Sequence, residues 1–314
     1  VLPHKLDRPW RQRLLLHLQR LSMSDPAQVL RDFQPGSDFF IGIDSDGCVF
    51  DSMEIKHKEC FVPMFVKHNG LQAVSKYARQ VWEFVNLYSK TRGANRFPAM
   101  VRSLELLRER PEVLARNVNV PSHPALDEWM TRETKLGNAT LAAEVAGGND
   151  DLVPVKDWSD AVNAHIADIV HGVPPFPLVR ECLAQALEQA DMMVISQTPS
   201  DALEREWDEH DIAKFVKAIA GQEMGTKTEH LQLAAAGKYS TEKMLMIGDA
   251  PGDHKAAKAN GVLFYPILPG QEESSWERLH GEALDRFFAG TFAGDYEAQL
   301  CTEFAASLPE HPSW

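Results

Sequence analysis

Cysteine is scarce: 314 residues hold four, at positions 48, 60, 182 and 301, and no C-x-x-C pair occurs. This excludes a disulfide framework and points to reduced thiols, as expected of a cytoplasmic protein. The twelve histidines are dispersed, without an H-x-x-x-H pair, which removes a histidine-based zinc site. No apolar run is long enough to span a bilayer. The stretch VLPHKLDRPWRQRLLLHLQR is interrupted by His17 and Gln19 and lacks the apolar segment and cleavage site of a signal peptide. Internal repeats and low-complexity tracts are absent. Net positive charge is absent too: Lys and Arg number 32 against 45 Asp and Glu, a formal net charge of -13. That argues against nucleic acid or anionic membrane as a partner, but not against a small anion held at a locally positive site.

What is present has a clear order. Leucines at 14, 15, 16, 18 and 21 predict an amphipathic helix over Trp10 to Ser22, in an N-terminal extension covering 1–36. The punctuation QPGSD precedes a strong strand, FFIGID. From 54 to 172 the apolar residues recur at helical spacing, as in Val74, Ala78, Val81, Trp82 and Val85, then Met100, Val101, Leu104 and Leu107, then Val162, Ile166 and Ile169. The spacing predicts an all-helical insert. After HGVPPFP the strands MMVIS, FVKAIAG, MLMIGD and VLFYPIL alternate with helices. Such alternation predicts an α/β fold, with a parallel sheet covered by helices on both faces. Its core is split into 37–53 and 173–314.

In open parallel sheets, ligands bind beyond the carboxyl ends of the strands. Three strands end there in polar residues: IGIDSDG, MVISQT and MLMIGDAPGD. They supply the carboxylates Asp44, Asp46, Asp249 and Asp253, the hydroxyl of Ser196 and the turn at Gln197. Lys227 starts a helix between the last two strands. Carboxylates gathered this closely repel one another, and a divalent cation removes the conflict. All-oxygen ligation with few protein ligands suits Mg2+, which also bridges to a substrate phosphate. Lysine, a hydroxyl and turn amides suit the remaining phosphate oxygens. One aspartate can then attack phosphorus while a second moves a proton to the leaving group. The segment GQEMGTKT is not a P-loop, because Thr226 separates the second glycine from Lys227.

The set DSDG, MVIS, Lys227 and IGDAPGD, in that order, resembles the four motifs of the haloacid dehalogenase superfamily, phosphatase-like branch. The resemblance implies a Rossmann-like core, with the insert 54–172 placed as that family's helical cap. It implies Asp44 as the nucleophile that forms an aspartyl-phosphate. Asp46 becomes the general acid/base, its backbone carbonyl facing the metal. Asp249 and Asp253, with Asp44, become the metal residues, and Ser196, Gln197 and Lys227 hold the phosphoryl group. Cys48 departs from the threonine often found after the glycine, outside the catalytic set.

The function implied is a magnesium-dependent phosphatase acting on a small phosphorylated metabolite. A phosphomutase uses the same motifs, and a silent phosphate-ligand binding protein could share the fold. A dehalogenase is disfavoured by Asp46. A phosphonate-cleaving branch would need a cap lysine, for which Lys56 and Lys58 are the candidates. Substrate choice is expected from the insert, where Arg92 and Arg96 flank Gly93 in a basic loop that could grip a second anionic group.

Overall fold

The computed structural model describes residues 25–314. The helix expected over Trp10 to Ser22 lies outside the described residues. Five parallel strands form one sheet: β1 (Phe39–Ile43), β2 (Ala190–Ile195), β3 (Ala218–Ala220), β4 (Met244–Gly248) and β5 (Leu263–Pro266), in the order β3-β2-β1-β4-β5.

The central strands are apolar on both sides, as a doubly covered sheet requires. Ile41, Ile43, Met192, Val194, Leu245 and Ile247 pack into one cluster with Trp207, Trp276 and Phe287. Phe40, Met193, Ile195, Met244 and Met246 pack into the opposite cluster with Leu231, Ala257 and Phe304. The covering helices alternate with the strands. Those used below are α5 (Val179–Leu187), α6 (Ser200–Glu209), α7 (Lys227–Ala234), α8 (Pro251–Asn260) and α9 (Asp295–Ser307).

β3 is shorter than the run FVKAIAG suggests. Ala213–Phe215 forms a 3-10 turn instead, and only three residues pair at this edge of the sheet. Short edge strands expose few unpaired backbone groups.

Between β1 and β2 the described chain is helical. It includes α1 (Ser75–Asn86), α2 (Arg96–Glu109), α3 (Pro124–Arg132) and α4 (Val153–Ile169), which share a separate core built on Phe65, Trp82, Phe97, Trp129 and Trp158. The stretch just after β1 is continuously helical but changes pitch, with a π segment at Lys56–Phe61 between Ser52–Ile55 and Val62–His68.

The strand order puts the site in place. The chain builds outward from β1 through β2 to β3, then returns to the other side of β1 with β4. The crevice between the carboxyl ends of β1 and β4 is therefore the topological switch point. Ile43 is in register with Ile247, so the residues that follow each strand emerge side by side. No helix among the described residues is long and apolar enough to cross a membrane.

Candidate active site

Asp44 follows β1 directly, and its backbone N–H donates to the Ile247 carbonyl at 2.9 Å, extending the ladder to β4. One carboxylate oxygen accepts from the Ser45 N–H at 2.8 Å. The other accepts from Lys227 Nζ at 2.6 Å. Lys227 is the first residue of α7, whose capping box pairs Thr226 with Glu229. Its ammonium also reaches Asp253 Oδ1 at 2.5 Å. Asp253 lies in the first turn of α8, where its second oxygen accepts from the Ala250 N–H at 3.0 Å.

Asp249 completes the floor. Oδ2 accepts from Arg92 Nε at 2.7 Å and also lies 2.7 Å from Nη2 in the ion pair. Oδ1 is buried and has no hydrogen-bond partner among the described residues. Asp44, Asp249 and Asp253 each offer a carboxylate oxygen within 4.8 Å of the others. Burial, reinforced by Asp253, pushes Asp44 up to about 7, against the pull of Lys227. Burial also pushes Asp249 up to about 6, although Arg92 opposes it. One lysine and one arginine do not neutralise three buried carboxylates. The bare oxygen and the crowded charge fit a hard divalent cation.

The Asp46 side chain stands apart from this trio. Oδ1 accepts from Ser52 Oγ and from Lys56 Nζ, the latter at 2.5 Å, and Oδ2 accepts from Thr198 Oγ1 at 2.6 Å. Burial alone would raise this carboxyl, but the Lys56 charge and the three hydrogen bonds bring it down to about 2. Lys56 is itself mostly buried and lies 3.7 Å from Glu206 Oε1 on α6. Burial and the charge of Asp46 push Glu206 up to about 7.

Ser196 sits buried just beyond β2, and its hydroxyl accepts from the Thr198 N–H at 3.2 Å without touching a carboxylate. Gln197 turns its amide away, donating to the Ser196 and Gly225 carbonyls. Arg92 and Arg96, read together as one basic loop, go to different places. Arg92 reaches Asp249. Arg96 donates to Ser159 Oγ at 3.0 Å and Asn163 Oδ1 at 2.7 Å on α4, with its guanidinium over Phe61.

Around Asp46, the sequence assigns Ser52 and Glu206 no role, offers Lys56 only as a candidate cap lysine, and favours Ser196 over its neighbour Thr198. Ser52, which starts the helix just after DSDG, carried a usable signal, whereas Lys56 opens the π segment that follows. Glu206 carried none. The glycine of DSDG has a steric role. Gly47 has φ +75°, and a Cβ there would lie 2.6 Å from Arg92 Nη2 and 2.7 Å from Asp249 Oδ2. Only glycine lets the loop pass beneath that ion pair.

Residues 130–267 match a family described as haloacid dehalogenase-like hydrolase. No curated protein matches the chain. Among solved structures, a haloacid dehalogenase-like family hydrolase from Streptococcus pneumoniae is similar at 12% identity over 78% of this chain and 91% of that one, with a TM-score of 0.47. A protein described as a predicted phosphoglycolate phosphatase, from Haemophilus somnus 129pt, is similar at 14% identity over 74% and 86%, with a TM-score of 0.45. At these scores neither one assigns an activity to this chain.

Proposed function

We propose that this chain, whose residues 130–267 match the haloacid dehalogenase-like hydrolase family, is a magnesium-dependent phosphatase for small phosphorylated metabolites, working through an aspartyl-phosphate on Asp44. The observation that carries this reading is the buried trio Asp44, Asp249 and Asp253 with Lys227 among them and Asp249 Oδ1 unpartnered.

Asp44, Asp249 and Asp253 would hold the magnesium ion, Asp253 directly or through its neighbours. When bound, the ion would offset negative charge on the phosphoryl oxygens. Lys227 supplies a fixed cation for the same oxygens, and the Ser196–Thr198 turn supplies hydroxyl and amide donors. A carboxylate oxygen of Asp44 attacks phosphorus. The new O–P bond forms as the ester P–O bond breaks, and the leaving oxygen takes a proton from Asp46. In the second step Asp46 takes a proton from water, the water oxygen bonds to phosphorus, and the Asp44–phosphorus bond breaks.

Asp46 is ionised at rest, which suits the second step. For the first step it must gain a proton, and an arriving phosphate dianion raises its affinity for one. Lys56, Ser52 and Thr198 fix the carboxylate's position meanwhile.

We assign substrate choice to the insert 54–172, acting as a cap over the core 37–53 and 173–314. Its Lys56 and Arg92 touch the catalytic carboxylates, and His57 stands close enough to both for their charges to act on it. A closing cap favours small substrates and excludes bulk water. Arg96 tests the division further. Arg96→Ala is expected to raise KM for a substrate with a second anionic group more than for a plain phosphomonoester, if the side chain swings from Ser159 to the substrate. Equal effects on both would remove it from the specificity set.

The direct test is a panel of phosphorylated metabolites assayed for phosphate release with magnesium, alongside sugar phosphates assayed for isomerisation. Saturable phosphate release from a subset is expected. Isomerisation without release would make the protein a mutase, and no turnover of any compound would leave only binding.

A further inference from the structure

Arg92 lies in the insert, yet it is only 4% exposed; it reaches Asp249 on the loop after β4 and packs so near the loop after β1 that a Cβ on Gly47 would lie 2.6 Å from Nη2. Two of its nitrogens converge on one oxygen of Asp249, and the third donates to the Leu87 carbonyl at 2.9 Å. A fork spread over both carboxylate oxygens would have used up Oδ1 as well. This arrangement keeps Oδ1 bare. The loop fits closely on the second side too: Gly93 has φ +74°, and a Cβ there would lie 2.9 Å from the Ala250 Cβ.

The same loop is held from behind. α9 is anchored in the core through Phe304, 5.5 Å ring to ring from Phe264 on β5, and through buried Leu308. The chain then crosses to the insert. Lys90 N–H donates to the Pro309 carbonyl at 3.2 Å, and Lys90 Nζ meets Glu310 at 3.0 Å. Trp314 sits over the Arg110 guanidinium at 4.4 Å and edge-on to Phe84 at 5.4 Å. Residues 309–314 therefore strap the insert to the core two residues from Arg92.

We propose that Arg92 is a positioning residue for the cation site, holding Asp249 with one oxygen ready for the ion and so coupling cation affinity to docking of the insert. The proposal rests on the metal reading given above. Partners that orient a metal ligand have a recognised scale of effect: their loss weakens metal binding by about 10–100-fold. The coupling is reciprocal, so the ion should tighten docking as much as docking tightens the ion. An opposite effect is also physically available. A guanidinium beside a cation repels it, and if repulsion dominated, removing Arg92 would strengthen binding.

The experiment is a calorimetric titration of Mg2+ into the full chain without substrate. In Arg92→Met the dissociation constant is expected to rise by about 10–100-fold. Arg92→Lys, which restores the charge without the fork, should recover part of that loss. Trp314→Ala, remote from the carboxylates, should weaken Mg2+ in the same direction by a smaller factor. Mg2+ should slow proteolysis of the 88–95 loop in the parent and fail to do so in Arg92→Met. An unchanged or tighter constant in Arg92→Met with a native circular dichroism spectrum would overturn the proposal. If that variant does not fold, unchanged affinity in folded Trp314→Ala overturns it. A parent that binds no Mg2+ defeats the metal reading itself, which is a different result from a parent that binds and variants that do not differ.

Discussion

Asp44→Asn should lower phosphate release by about ten-thousandfold or more, because the amide keeps the size of the side chain and loses the attacking oxygen's charge. The fold should survive. Asp44 is held at about 7, well above the 3.8 of an ordinary aspartate, by burial and then by Asp253. The fold therefore disfavours its ionised form at neutral pH, and an amide relieves that conflict. Lys227 keeps its second partner, Asp253, at 2.5 Å. The thermal midpoint of the metal-free variant is accordingly expected at or above that of the parent. A folded variant with near-parental turnover would show that Asp44 is not the nucleophile.

Removing the metal should have the second largest effect. Chelator should abolish turnover, magnesium should restore it, and calcium should restore little because it prefers more ligands and looser geometry. The pH dependence of stability gives a check that does not involve turnover. Asp44 and Asp249 rise from 3.8 to about 7 and about 6, so between those limits the folded state binds more protons than the unfolded one. The contribution of these two groups to the stability of the chelated protein should therefore fall as pH rises across that window; buried His57 and His230, lowered to about 3 and about 4, act there with the opposite sign, so the share of Asp44 is read as the difference between the parent and Asp44→Asn. Asp46, lowered to about 2, acts below that window with the opposite sign. At neutral pH, magnesium at about 100 times its dissociation constant adds about 2.7 kcal/mol to the folded state. For a chain of this size that is about 5 °C in midpoint. Asp249→Asn should remove most of this gain. Asparagine is chosen over alanine because its carbonyl oxygen can still accept from Arg92, whereas an unpaired buried arginine would cost about 3–5 kcal/mol. A midpoint indifferent to magnesium would contradict the site.

The strand-end residues were legible for a simple reason. Asp44, Asp46 and Asp249 interrupt apolar runs that otherwise read as buried strand, and acidic residues have little cause to sit there except at a site. The alternation of strands and helices likewise gave the sheet and its covering layers. Contacts made across the chain were harder to see. Arg92 and Arg96 sit around one glycine in a hydrophilic stretch, and only the folding of the insert onto the core sends one to Asp249 and the other to α4. Lys56 opens a π segment, so the usual 3.6-residue spacing does not predict which way it faces. Thr198 and Ser196 are two residues apart after β2. The sequence favours Ser196 because it follows the apolar run directly, yet it is the Thr198 hydroxyl that reaches Asp46. The turn sends the two hydroxyls to different partners.

The most direct test of the covalent mechanism uses Asp46→Asn with an aryl phosphate. Its leaving group departs without a proton, so the first step proceeds while the hydrolytic step, deprived of its base, stalls. After rapid acid quench, the peptide containing Asp44 is expected to carry the added mass of one phosphoryl group. Hydroxylamine should remove it, and Asp44→Asn should never acquire it. Steady phosphate release with no phosphorylated peptide, or with the phosphoryl group on another residue, would contradict the account.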